Sequence, residues 1–462
     1  MAPLLRIDEV TAFLYALKPR GIRFGLENTR LVLEALGRPQ DNFSVAHLAG
    51  SNGKGSTAAF LDRILRAHGL RVGLYTSPHL VNFRERFRVD GQPVSDERIC
   101  DQMESFLRDG LDLVPEEVSA FVRGEGLVER MTPDRWYAER GASSRFSRLT
   151  FFECTTILAA MIFADLGVDV AIMETGMGGR LDATNVFEPK VCGITSIDLE
   201  HTAWLGEDLA TIAGEKAGII KQGVPVICAP QRAEALSVIE DEAEKRNAPF
   251  SLVGKDIQIK GSWSDADFLL ANMHIKGLRL GLAGPHQIHN AAVALGCADA
   301  LISLRPEASR LGLESVKWPG RFEQLGPGGR WVLDGAHNPG GCRVLASTWR
   351  QIHGDLKPCI VFGVLGDKQL EPMLTALSGL ADDWWLVPSR DARGRAPEEY
   401  SNLIPSARLA SSVGNALDAW WSSGAGPLLV CGSLGVVGEA KLWFGNKEIS
   451  SPEAGGFQIK LN

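Results

Sequence analysis

Short runs rich in valine and isoleucine alternate with longer segments of helical period along most of this chain, and that alternation restricts the fold more than any other feature. A strand buried on both faces is apolar throughout, and a crossover is needed to bring the next strand in parallel to it. The sequence therefore reads as repeated βαβ units around mainly parallel sheets, an α/β fold. In the first half the clearest strands are Val45–Leu48, Val168–Met173, Val191–Ile197 and Val224–Cys228. Helices are expected over Thr57–Ala67, Asp208–Lys216 and Glu234–Lys245. Residues 251–283 alternate in polarity instead, as in DFLLANMHIKGLRLGL, and read as a small antiparallel excursion. A helix from about His289 to Leu304 leads into a proline-containing stretch, after which the βαβ rhythm restarts with Trp331–Leu333, Ile360–Val364, Trp385–Val387 and Leu428–Cys431. A chain of 462 residues is too long for one comfortable core. The expected organisation is two domains, residues 1–304 and 305–462. The polar, weakly periodic segment Asp109–Ser147 reads as an insertion or mobile loop and is assigned no chemistry.

A net charge of −8 argues against a general nucleic-acid binder, which carries a basic surface. The eight cysteines are scattered, with no C-x-x-C pair, and several lie inside apolar runs. That is the usage of reduced thiols in a cytosolic protein. The N-terminal MAPLLRIDEV lacks the basic and apolar regions of a secretion signal, and no stretch of about 18 apolar residues occurs. A cytoplasmic chain with no membrane partner is expected.

The strongest local motif is Gly50-Ser51-Asn52-Gly53-Lys54-Gly55-Ser56-Thr57, which follows the apolar run SVAHLA and precedes a helix. Glycines let successive backbone N–H groups face phosphate oxygens, Lys54 adds charge, and the helix N-terminus adds its dipole. The spacing departs from G-x-x-x-x-G-K-[ST], because Gly55 separates Lys54 from Ser56. Glu174 ends the run VDVAIM at the carboxyl edge of a sheet, where open α/β sheets bind ligands. It is a hard-cation ligand, or else a capping acid or a salt-bridge partner. His201, after Asp198-Leu199-Glu200, stands at another such edge, as a metal ligand or a packed loop histidine. Lys216 lies on a helix flanked by alanine and glycine, surroundings that suggest partial burial; since lysines snorkel, the plain reading taken alone is a surface charge. In the second half Trp318-Pro319-Gly320-Arg321 precedes a strand ending in Asp334-Gly335-Ala336-His337-Asn338-Pro339. Asp334 reads as a ribose acceptor or an N-cap, and His337 as a phosphate contact or a packing residue.

Together the motifs GSNGKGST, YTSPHLVNFRERF, LTFFECTT, ETGMGGRLDATN, SIDLEHTAWLG, IAGEKAGIIK, GPHQIHNAA, WPGRFE, LDGAHNP and GVLGDK resemble, in order and over nearly the whole length, the folylpolyglutamate synthase/dihydrofolate synthase family of the Mur ligase superfamily. The resemblance implies an N-terminal P-loop Mur-ligase-type ATPase domain and a C-terminal Rossmann-like domain, with the active site between them. It implies ATP contacts at Asn52, Gly53, Lys54, Gly55, Ser56, Asn290, Arg321, Asp334 and His337. It implies Mg²⁺, two ions, at Ser77, Glu174, His201 and Lys216, the lysine being converted to a carbamate, an anionic oxygen ligand. The pterin end of the substrate is expected near Gly25, Leu26, Thr150, Phe151, Phe152, Glu153, Leu181, Asp182 and Ala183. Lys54, Lys216, His201 and Glu174 are the catalytic candidates.

The implied reaction is ATP-dependent ligation of L-glutamate to dihydropteroate and to folates through an acyl phosphate, by a monomer with only small-molecule partners. The stretch GGRLDATN resembles that of bifunctional bacterial members. A single-activity folylpolyglutamate synthase, another Mur-type amide ligase and a non-catalytic nucleotide-binding scaffold are the alternatives. Departures from the family pattern are Ser51 in the loop, Gln369 after GDK, and the length of the 109–147 segment.

Overall fold

The protein is described here by a computed structural model covering residues 4–18, 21, 25–111, 149–391 and 393–447. The expected insertion falls mostly outside the described residues; only Asp109, Gly110 and Leu111 are seen, closing a helical stretch.

The first sheet has eight strands: β1 (Ser44–Ala49), β2 (Val72–Tyr75), β3 (Phe87–Val89), β4 (Gln92–Pro93), β5 (Val170–Glu174), β6 (Val191–Ile194), β7 (Val226–Cys228) and β8 (Phe250–Leu252). Their spatial order is β4-β3-β2-β5-β1-β6-β7-β8. All pairings are parallel except those of β3 with β2 and with β4. Strand β1 is central and its side chains alternate between two cores. Val45 faces the helix Phe151–Asp165, with Tyr75 and Met173. Ala46 and Leu48 face the helices Lys54–Ala67 and Gln287–Leu301. Fully buried rings such as Phe60 and Phe163 contribute roughly 2–3 kcal/mol each to this packing.

The residues that alternate in polarity form a three-stranded antiparallel sheet: β9 (Gln258–Ser262), β10 (Asp265–Leu270) and β11 (Met273–Leu278). Alanine and phenylalanine on β10 point into the first core, while Leu269 points outward. The helix Pro306–Glu314 also packs on this body. Leu313 and Val316 belong to its core, and Gly312 lies against Ile64 closely enough that an added Cβ would fall 2.7 Å from the Ile64 Cα.

The chain crosses to the second sheet over residues 317–322. That sheet contains β12 (Glu323–Leu325), β13 (Trp331–Leu333), β14 (Cys359–Phe362), β15 (Asp383–Leu386), β16 (Arg408–Leu409) and β17 (Leu428–Cys431), in the order β12-β13-β17-β14-β15-β16. Only the edge strand β12 is antiparallel. All eight cysteines are buried and unpaired, including Cys100 and Cys342, which lie outside the apolar runs. Among the described residues no helix is long and apolar enough to cross a membrane.

Candidate active site between the two sheets

A parallel strand delivers its carboxyl end to one edge of the sheet, and the loops there build the site. Strand β1 runs into the glycine-rich loop, which opens the helix Lys54–Ala67 three residues earlier than the apolar period suggests. The loop needs its glycines. At Gly50, φ +148°, a Cβ would fall 1.9 Å from Thr195 Oγ1. At Gly53, φ +95°, it would fall 2.3 Å from Asn290 Oδ1. The loop is held from the neighbouring strand: Ser51 N and Asn52 N donate to Ser196 O at 2.9 and 3.1 Å, and Asp198 N donates to Ser51 Oγ at 3.0 Å. Lys54 Nζ folds back to donate to Gly50 O at 2.6 Å.

Glu174, at the end of β5, is 5% exposed, and one carboxylate oxygen accepts Ser77 N–H at 3.0 Å. Burial raises its pKa, while Lys54, that hydrogen bond, Arg321 and Arg86 pull the other way. A buried carboxylate in this state gains from a cation placed against it. Ser77 and Glu174 together therefore fit a divalent ion that takes its remaining ligands from phosphate oxygens and water. Among the described residues no three His, Cys, Asp or Glu side chains converge on one point. A single carboxylate beside a serine is a donor set that a hard divalent ion completes with phosphate oxygens and water.

Lys216 is not a surface charge. It is 1% exposed, and its ammonium donates to Glu200 Oε1 at 2.7 Å and to Gly50 O at 3.0 Å. Burial drives its pKa down to about 8, against the upward pull of Glu200 and with the help of Lys54. Burial opposes ionisation of Glu200 as well, yet Lys216 and Lys54 hold its pKa down to about 2. Glu200, which lines the cleft and pairs with Lys216, is not among the residues expected from sequence; its place one residue before His201, at a strand edge, is the available signal. His201 takes a left-handed conformation, φ 49°, with its side chain exposed at the rim.

The second domain supplies the facing wall. The Asp334 carboxylate accepts Phe322 N at 2.7 Å and Ala336 N at 2.8 Å, which ties the Trp-Pro-Gly-Arg turn to the end of β13. Burial raises its pKa and Arg321 opposes that. His337 Nδ1 donates to Gly335 O at 2.7 Å, leaving Nε2 as the free nitrogen; burial pushes its pKa down to about 4, so the ring is neutral. Asn338 caps the helix Pro339–His353 by accepting Gly341 N at 2.7 Å, and its amide reaches Asn52 Oδ1 at 2.9 Å. Asn290 Nδ2 donates to Gln287 Oε1 at 2.9 Å beneath the loop.

These walls enclose a cleft of about 580 Å³. Every nucleotide candidate (Asn52, Gly53, Lys54, Gly55, Ser56, Asn290, Arg321, Asp334 and His337) lines it, as do Ser77, Glu174 and His201. Lys216 sits behind its floor, under Gly50. The pterin candidates Gly25, Leu26, Thr150, Phe151, Phe152, Glu153, Leu181, Asp182 and Ala183 do not line it; Thr150 to Glu153 open the helix Phe151–Asp165 on the other face of the first sheet. Phe151 lies there against Tyr15, with ring centres 5.7 Å apart, and under the Arg86 guanidinium at 5.0 Å. Phe152 packs over Gly176. Glu153 and Asp182 are buried, and each accepts from backbone N–H together with a neighbouring threonine hydroxyl. Glu153 accepts Thr150 N at 2.7 Å in a capping box. Asp182 accepts Gly176 N and Met177 N, each at 2.9 Å.

Comparison with known proteins agrees with this architecture. Residues 320–434 match the Mur ligase glutamate ligase domain. The dihydrofolate synthase/folylpolyglutamate synthase of Bacillus subtilis is 36% identical over 372 residues, 78% of this chain and 80% of that one. The Escherichia coli protein of the same name is 34% identical over 92% of each chain. The solved structure of E. coli FolC in complex with DHPP and ADP superposes with a TM-score of 0.80 at 31% identity, over 96% of this chain and 98% of that one. With glycine-rich loop, buried lysine and facing Asp334 wall in place along the matched length, the chain belongs to the dihydrofolate synthase/folylpolyglutamate synthase family of Mur ligases.

Proposed function

We propose that this protein joins L-glutamate to dihydropteroate and to folates, using ATP to activate the acceptor carboxylate as an acyl phosphate. The observation that carries the reading is the cleft itself: a phosphate loop from one sheet and Arg321, Asp334 and His337 from the other line a single cavity. A carboxylate is a poor electrophile until its oxygen is made a leaving group. Lys54 and the loop N–H groups are the donors that balance charge on a transferring phosphoryl group. A divalent ion at Ser77 and Glu174 neutralises phosphate charge when bound. The amine of glutamate then attacks the acyl carbon and phosphate departs. Closure of the two walls excludes water, which would hydrolyse the acyl phosphate.

The same reading takes Lys216 as the site of a carbamate holding a second Mg²⁺. Carbamate formation requires a neutral amine, and burial lowers the pKa of this one to about 8, so that a fraction of it is neutral at physiological pH. The pterin ring is assigned to the side of Phe151 and Phe152, next to the cleft. The division expected between residues 304 and 305 is proposed to fall after Val316 instead, because Leu313 and Val316 pack in a core of the first domain, and the protein is taken as a cytoplasmic monomer.

The test is an assay on the purified protein with labelled glutamate, ATP, Mg²⁺ and bicarbonate, offering dihydropteroate and tetrahydrofolate separately. Product from both is expected. Product from tetrahydrofolate alone reduces the activity to polyglutamylation, and product from neither removes the folate assignment.

A further inference from the structure

One polar side chain sits where the pattern of β1 calls for an apolar one. His47 is fully buried in the middle of that strand, between Met173 of β5 and Cys192 of β6 in register. Its Nε2 lies 2.8 Å from Thr184 Oγ1. The same hydroxyl lies 2.5 Å from Asp182 Oδ1, and an ionised carboxylate only accepts, so Thr184 is the donor there. The hydroxyl hydrogen being spent, Thr184 accepts from His47, which fixes the neutral tautomer with its proton on Nε2. The remaining nitrogen, Nδ1, is buried with no partner. An unpaired buried nitrogen costs free energy that an apolar residue would avoid. Something therefore depends on the Nε2 donor.

What depends on it is the far end of the chain of bonds. Asp182 Oδ1 also accepts Thr184 N at 3.0 Å, while Oδ2 accepts the N–H groups of Gly176 and Met177. This one carboxylate thus folds the loop that starts at Glu174 and carries Leu181 and Ala183. We propose that His47 is a positioning residue that, through Thr184 and Asp182, registers this acceptor-side loop against the strand bearing the phosphate loop. The role rests on the assignment of the loop to pteroate binding made above.

Three variants test it: His47→Leu, which removes the donor; His47→Gln, which returns an N–H at the same reach; and Thr184→Val, which cuts the chain at its next link while preserving shape. For His47→Leu and Thr184→Val the KM for dihydropteroate is expected to rise about tenfold, the worth of one buried hydrogen bond, with the KM for ATP unchanged. His47→Gln should recover most of the loss. Backbone hydrogen exchange of residues 176–185, measured without substrates, should quicken in the first two variants while that of residues 50–57 stays as in the parent. Equal shifts in both KM values, or unaltered exchange at 176–185, would overturn the proposal. Because exchange is read with no pteroate present, quickened exchange in a protein that ligates no glutamate would leave the relay standing and remove only the folate assignment.

Discussion

Asn338 and Asn52 are 286 residues apart, yet the amide of the first donates to the side-chain oxygen of the second at 2.9 Å. The bond joins the cap of a second-domain helix to the phosphate loop of the first domain. A group bound in the loop is thereby felt by the opposite wall, and the two walls share one polar contact at the place where phosphate is expected.

Asn338 does two jobs, and substitution can separate them. Serine keeps an oxygen that caps the helix Pro339–His353 but is too short to reach Asn52; alanine loses both. Asn338→Ser should therefore leave the melting temperature nearly unchanged and raise the KM for ATP a few-fold. Asn338→Ala should show the same KM change together with a loss of about 1 kcal/mol of stability, the usual worth of a cap. Equal stability losses in the two variants would refute the separation.

Glu174 should trade stability for activity. A carboxyl group whose pKa is raised in the folded state binds its proton more tightly there than in the unfolded chain. Stability then falls as pH rises through the ordinary glutamate range, and the ionised group is a cost at neutral pH. Glu174→Gln is neutral and accepts the same Ser77 N–H. Its melting temperature at pH 7 should equal or exceed that of the parent, while ligation falls by a hundredfold or more, about 2.7 kcal/mol in transition-state stabilisation. Thermal melts and a Mg²⁺ titration of the residual rate check both halves.

How much of this could be read from sequence differs from element to element, for physical reasons. The strands Trp331–Leu333 and Leu428–Cys431 have the bounds expected from their apolar runs, because both faces of a central parallel strand are covered. The hairpin of β3 and β4 was not expected. Its residues are half-polar and short, since only one side of an edge needs burying. The helix Lys54–Ala67 starts before its apolar period does, because the loop's own N–H groups form its first turn. The residues expected to meet nucleotide lie at strand edges except Asn290, which stands on the helix Gln287–Leu301, and the fold gathers them around one cleft. The environment of Lys216 was not legible. Whether a lysine is buried depends on what the fold sets against it, here Gly50 and Glu200, and helical spacing is silent about both. Glu153 and Asp182 show the converse: acids in recognisable motifs whose oxygens hold their own loops, through backbone N–H groups and a threonine hydroxyl each.

The Lys216–Glu200 pair gives the stability profile two separate pH windows. The folded-state pKa of Lys216 lies near 8, below the ordinary 10.5. Across that interval the unfolded chain holds a proton the folded one has released, so this group's contribution improves as pH rises; below it the cost of a buried cation is present in full. Glu200, held down near 2, contributes stability that is complete above the ordinary 4.5 and is lost as pH falls toward 2. Glu200→Gln should remove the acid-side loss from a plot of melting temperature against pH. It should also weaken the protein at neutral pH, since Lys216 would be left buried without its counter-charge. An unchanged acid limb would mean that other carboxylates set it.

The same pair predicts how a carbamate on Lys216 must behave. Carbamate formation joins the amine nitrogen to the carbon of carbon dioxide and releases a proton, so it requires the neutral amine. Occupancy should therefore climb as pH rises toward and past about 8. The product is an anion, and its neighbour at 2.7 Å from the present nitrogen is another anion, Glu200. Two neighbouring carboxylate-like groups would repel in a site with so little water, and a divalent cation held by them would offset that repulsion. Occupancy and Mg²⁺ should consequently support one another. In ¹³C spectra of protein equilibrated with labelled bicarbonate, a carbamate signal is expected that strengthens on adding Mg²⁺ and is missing from Lys216→Arg. A signal indifferent to Mg²⁺ would place the ion elsewhere, and a signal retained by the arginine variant would place the carbamate on another amine.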